Sequence, residues 1–130
     1  MDPDEVRKAV DQFILEEIDS VPHLEALLIM WRQPGRRWNA DEMAKELYLS
    51  PERARKILDD LAQSRLIAAA PDGSGVYRYE NHVAEALIRS VDAVYRRELV
   101  RISTMIHSKA SAGVREFARA FRFSKKEDKV

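Results

Sequence analysis

The side chains with chemistry to offer in this 130-residue sequence are cations in two clusters. Arg53, Arg55 and Lys56 stand within four residues of one another, and Arg36, Arg37 and Arg78 flank them in the chain. Guanidinium and ammonium groups suit phosphate oxygens, and an Arg or Lys facing guanine makes the commonest base-specific pairing. The opposing acids Glu52, Asp59 and Asp60 lie in the same segment. The alternative is therefore that Arg53, Arg55 and Lys56 only solvate a helix face, pairing with those acids at i+3 or i+4.

Other chemistry finds little support. His23, His82 and His107 lie in three separate segments with no ligand spacing, and no cysteine is present. No metal site or cofactor is expected, because the sequence gives no sign that carboxylates converge on any of these imidazoles. The three histidines read as helix-end or surface residues, and the pairs Glu16-Glu17 and Asp59-Asp60 as solvated faces. Gly73 and Gly75 belong to a turn and do not open a helix as a phosphate loop would. No serine stands in a nucleophile elbow. The expectation is a non-enzymatic protein.

The elements that position the cations can be read from spacing. Asn39 or Asp41 caps a short helix with Met43, Ala44 and Leu47 inward, and the chain breaks at Tyr48-Leu49. Ser50 caps a second helix, Pro51 takes its first position, and Ala54, Ile57, Leu58 and Leu61 form its apolar face at i, i+3, i+4 and i+7. Leu66-Ile67 then begins an extended run. Pro71-Asp72-Gly73-Ser74-Gly75 turns it and Val76 to Tyr79 returns it, as in a hairpin. Ahead of this unit, Pro3 to Ile18 is an amphipathic helix facing inward through Val6, Val10, Phe13, Ile14 and Ile18. His23 to Arg32 is apolar almost all round, as a central core helix would be. Behind the unit, a continuous stripe from Ala84 to Ile106 predicts one helix over 82–108, near 40 Å long at about 1.5 Å per residue. A short basic helix with Phe117 and Phe121 follows, then a charged tail.

Two short helices with a tight break, followed directly by a hairpin, resemble a winged helix-turn-helix. The run L-D-D-L-A-Q-S-R-L-I is similar to the end of the recognition helix and the start of the wing in MarR- and ArsR-type regulators, although Ser64 or Arg65 stands where that pattern often has Gly. The resemblance covers about residues 21–80. It implies a mostly α fold with a β-hairpin wing, flanked by N- and C-terminal dimerisation helices. It also implies a homodimer on double-stranded DNA, with recognition helix 51–63 and wing 67–79. Arg53 and Lys56 would then lie near base edges, Arg55 and Ser50 near phosphates, and Arg78, Arg36 and Arg37 along the backbone or minor groove. Phe13, Ile14, Val91, Tyr95, Leu99, Ile102 and Ile106 are the expected dimer contacts. The stripe on the long helix could instead be covered within one chain.

Charge gives the competing reading. The formal net charge is zero, with three Lys/Arg against eight Asp/Glu in residues 1–33, eight of each in 34–80 and eleven against six in 81–130. A neutral wing unit lacks the basic excess that phosphate binding favours. That favours a winged-helix module with a protein partner in place of DNA. The expected organisation is one domain: 3–20 an N-terminal helix, 21–80 the winged unit, 81–123 the long and basic helices, and 124–130 a frayed tail. The acidic start lacks a signal-peptide core, and Leu24 to Trp31 is too short to span a bilayer, so a cytoplasmic protein without membrane insertion is expected.

Overall fold

The computed structural model describes residues 2–80 and 85–109. The order is α1 (Pro3–Glu17), α2 (Val21–Arg32), α3 (Ala40–Leu47), α4 (Pro51–Gln63), β1 (Ile67–Ala69), β2 (Tyr77–Tyr79), α5 (Glu85–Arg97) and a further helix, α6, over 99–109. Among the described residues the only sheet is the antiparallel pair β1–β2, in the register Ile67 to Tyr79, Ala68 to Arg78 and Ala69 to Tyr77.

Local chemistry explains the helix ends. Asn39 Oδ1 accepts from the Glu42 amide at 2.8 Å, and Glu42 Oε1 accepts from the Asn39 amide at 3.0 Å, a reciprocal capping box that starts α3. Tyr48 ends α3 in the left-handed region at φ 55, and the Leu49 amide reaches back to the Ala44 carbonyl at 3.0 Å. Ser50 Oγ accepts from the Arg53 amide at 3.2 Å and Pro51 opens α4, so the helix-turn-helix break is set by two consecutive caps.

The exit of α4 is a Schellman motif. The Leu66 amide donates to Leu61 O and the Arg65 amide to Ala62 O, each at 3.0 Å, with Leu66 and Leu61 both buried. Arg65 takes the left-handed position at φ 62 where glycine is at ease. A left-handed L-residue costs about 1–2 kcal/mol, and glycine gives back about 0.5–1 kcal/mol in chain entropy. Arg65→Gly is therefore expected to raise stability by about 0.5 kcal/mol, read as a higher urea midpoint with unchanged slope.

The core sits around α2, whose Leu24, Ala26, Leu27, Leu28 and Met30 are all buried. It packs against α3, α4, α5 and β2. Trp38 is also buried and pairs with Tyr77 through two 2.7 Å backbone bonds, so the connector before α3 forms a third rung beside the wing.

The long helix departs from expectation. The chain bends at Glu98 between α5 and α6, although helical bonds continue from the Glu98 amide to Val94 O and from the Ile102 amide to Glu98 O. Glu98 is held by Arg7 at 2.6 Å and by Arg101 at 2.7 Å. Arg101 also grips Asp11 at 2.9 Å, and Lys109 Nζ donates to the Ile18 carbonyl at 2.9 Å. Contacts at 7, 11 and 18 of α1 and its exit thus match 98, 101 and 109. The two segments run parallel, with α6 bent to follow α1. The bend keeps Ile102 and Ile106 buried and turns Leu99 outward.

Two buried phenols carry a pH consequence. Tyr95 donates to Glu25 at 3.1 Å and Tyr77 donates to Asp59. Burial first, and then the facing carboxylate, pushes each phenol up to about 12. The unfolded chain releases these protons near pH 10, so the folded state retains protons that the unfolded state has lost. Their contribution is full below about pH 10 and drains away as pH rises to about 12. The urea midpoint is expected to fall steeply across that window, and less steeply in Tyr77→Phe.

Candidate nucleic-acid interface

On α4 the buried residues Ala54, Ile57, Leu58 and Leu61 fix which side chains face out. At about 100° per residue, Glu52, Lys56, Asp59 and Gln63 occupy the outermost positions. Arg53 and Lys56 lie about 60° apart on one flank, whereas Arg55 lies about 160° from Arg53 on the other. The cluster that looks contiguous in sequence is therefore divided by the helix. Arg55 lies with Asn39, Asp41, Ser74 and Tyr77 in a groove between the start of α3 and the wing tip.

Two of the three acids on this helix are engaged, and the exposed Glu52 is the exception among the described residues. Asp59 accepts the Tyr77 hydroxyl, which ties β2 to α4. Asp60 accepts from Lys56 Nζ at 2.5 Å and lies 2.8 Å from His23 Nε2 on α2. Burial pushes the Asp60 carboxyl up, but the hydrogen bonds and charges of Lys56 and His23 outweigh it and hold the group below the usual carboxylate range. The same bond to Asp60 raises the Lys56 ammonium. Asp59 and Asp60, expected as a freely solvated face, both have side-chain partners, Asp59 while still exposed and Asp60 half-buried. His23, expected at a surface or helix end, opens α2 but has a side chain only 12% exposed.

The other cations divide as well. Arg37 and Arg78 line one groove along the wing with Asp72 and Glu80, and Arg78 pairs with Glu80 at 3.1 Å. Arg36 turns away from them. Its guanidinium lies 3.6 Å over the Trp38 ring and reaches Gln33 at 3.1 Å and Glu42 at 3.4 Å. It braces the connector against α3, so the structure does not bring it to the groove with Arg37 and Arg78. Arg53 and Arg55 are exposed and make no ion pair among the described residues. Ser50 is exposed at the turn, with its oxygen accepting from the Arg53 amide.

The expected dimer contacts need correction. Phe13, Ile14, Val91, Tyr95, Ile102 and Ile106 are buried within the single chain, because α1 packs along the bent α5–α6 helix and covers the stripe. Of the seven, only Leu99 is open, at 52% exposure, next to Val100 at 77%. Ala84, His82 and the basic Phe helix lie outside the described residues.

These elements bring two short helices, an αL turn and a hairpin into one arrangement, and solved structures share it. A MarR family protein from Mycobacterium tuberculosis aligns over 94% of this chain and 86% of its own, at 19% identity and a TM-score of 0.52. The chain has the winged helix-turn-helix fold of MarR family structures. A MarR family protein from Bacillus stearothermophilus aligns over 98% of this chain and 87% of its own, at 16% identity and a TM-score of 0.49. No protein-family model matches the sequence, and no curated protein does. Among the described residues, no helix of this MarR-like fold is long and apolar enough to cross a membrane.

Proposed function

We propose that the protein is a sequence-specific, DNA-binding transcriptional regulator that acts as a homodimer through α4 and the wing. The observation that carries this reading is the division of charge on α4. Asp59 and Asp60 are tied to Tyr77, His23 and Lys56, while Arg53 and Arg55 extend from the N-terminal half of the helix without acidic partners among the described residues. In this docking mode that half of the helix enters the major groove. Arg53 and Lys56 address base edges, Arg55 and Ser50 the phosphates beside the turn, and Arg37 and Arg78 the backbone along the wing. The engagement of Asp59 and Asp60 makes the neutral charge of the winged unit less adverse than its composition suggests, while the exposed Glu52 on the N-terminal half of α4 still opposes phosphates. The homodimer forms around Leu99 and Val100, exposed where α6 begins.

The test is titration of duplex DNA at rising salt. The logarithm of affinity should fall linearly with the logarithm of salt concentration, and Arg78→Ala should lower that slope by about 1 while weakening all sequences alike. Affinity independent of salt would overturn the proposal.

A further inference from the structure

His23, Asp19 and Asp60 come from three places in the chain, yet their ligating atoms lie within 4.8 Å of one another. Asp60 and His23 are separated by 37 residues and belong to α4 and α2. Asp19 is in the short link between α1 and α2. The imidazole is set up as a ligand. Ser20 Oγ lies 2.5 Å from His23 Nδ1 and accepts from the His23 amide at 3.3 Å, so when an ion takes the place of the Nε2 proton, Nδ1–H can donate to Ser20. Such a partner on the far nitrogen fixes tautomer and ring orientation at metal sites. Nε2 and Asp60 Oδ2 are 2.8 Å apart with one proton between them. Two ligands at about 2.05 Å from one ion stand about 2.9 Å apart in an octahedral shell and about 3.3 Å apart in a tetrahedral one. A divalent ion can therefore take the place of that proton once the imidazole and the Asp60 carboxylate turn so that the ion, which lies off the Nε2–Oδ2 line, meets the Nε2 lone pair. Among the described residues the cation paired with Asp60 besides His23 is Lys56 Nζ, on a side chain 75% exposed and free to swing away.

We propose that His23, Asp60 and Asp19 bind a divalent transition ion of the Zn²⁺, Co²⁺ or Ni²⁺ class, water completing the shell on the exposed Asp19 side. One imidazole and two carboxylates suit these borderline ions. The ion bonds to Nε2 and to one oxygen of each carboxylate, and any proton held between Nε2 and Asp60 leaves to solvent. It clamps the α1–α2 link to the recognition helix and displaces Lys56 from Asp60. The consequence for Lys56 at DNA rests on the function proposed above, whereas metal binding does not and is measured without DNA.

The experiment is titration of the purified full-length protein with Co²⁺, followed by visible ligand-field absorption and by calorimetry, with Zn²⁺ as competitor. One ion per chain is expected. Asp19→Asn, which leaves the His23–Asp60 bond in place, should weaken binding about tenfold or more, and His23→Gln at least as much. Lys56→Gln should tighten binding about twofold or more, because it removes the cation competing for Asp60. Circular dichroism of each variant confirms the fold. An absence of saturable binding overturns the site, as does equal affinity in Asp19→Asn, His23→Gln and the parent.

Discussion

Leu58→Ala is expected to remove about 3–4 kcal/mol of stability, the largest effect of any change considered. Leu58 is fully buried on the inner face of α4, among the side chains of the common core. Leu→Ala in such a site loses the transfer free energy of the side chain and leaves a cavity, and the two together cost about 2–5 kcal/mol. The upper half of that range applies because α4 is fixed on several sides. It packs on α2 and α3, continues through the Schellman exit into β1, and is tied to β2 by Tyr77 and Asp59, so collapse around the void is limited. A domain of ordinary stability has about 5–15 kcal/mol in total. Urea unfolding with an unchanged slope checks the prediction. A loss below about 1 kcal/mol would mean that α4 is not anchored through this face.

Arg53→Ala is the second large effect, and it separates direct reading of bases from general attraction. With Arg53 and Lys56 on one flank of α4 and Arg55 on the other, removal of Arg53 should cost about 1–3 kcal/mol at a preferred site and relax the base preference there. Arg55→Ala, lying by the wing tip, should weaken preferred and random duplexes alike. Fluorescence anisotropy with both duplexes, for both variants, measures the difference. Equal losses on both duplexes for Arg53→Ala would remove it from base recognition.

Much of this fold was legible because it rests on local rules. Asn39, one of the two candidates, caps α3 and Ser50 caps α4, Pro51 stands at the first position of α4, and the turn from Pro71 to Gly75 closes with Gly73 at φ 73 and Gly75 at φ 74. The all-round apolar character of α2 marked it as the central helix. What failed depended on which surfaces meet. Seven apolar positions were assigned to a partner chain, yet six face the same chain's own α1 or core, because periodicity reveals an apolar face without naming what covers it. The bend at Glu98 was invisible for the same reason: it lies where Arg7 of α1 and Arg101 of α6 meet one carboxylate, and neither proline nor glycine marks it.

The candidate site was legible in its residue types and not in its pairings. Arg53, Arg55 and Lys56 read as one cluster in sequence, but 3.6 residues per turn places them on two flanks. Arg36 and Arg37 are neighbours, yet one stacks on Trp38 and the other faces the wing. His23 seemed isolated because its partner is 37 residues away. The identity of Asp60 as that partner could be read only from the packing of α2 on α4.

The central claim is that α4 and the wing read DNA as a pair of copies. Selection of the purified protein against a randomised duplex pool at two salt concentrations, followed by sequencing, tests it most directly. Enrichment of an inverted repeat with half-sites about one helical turn apart, and affinity that falls steeply with salt, is the predicted result. Recovery of the starting pool with no enriched sequence at either salt concentration would contradict it.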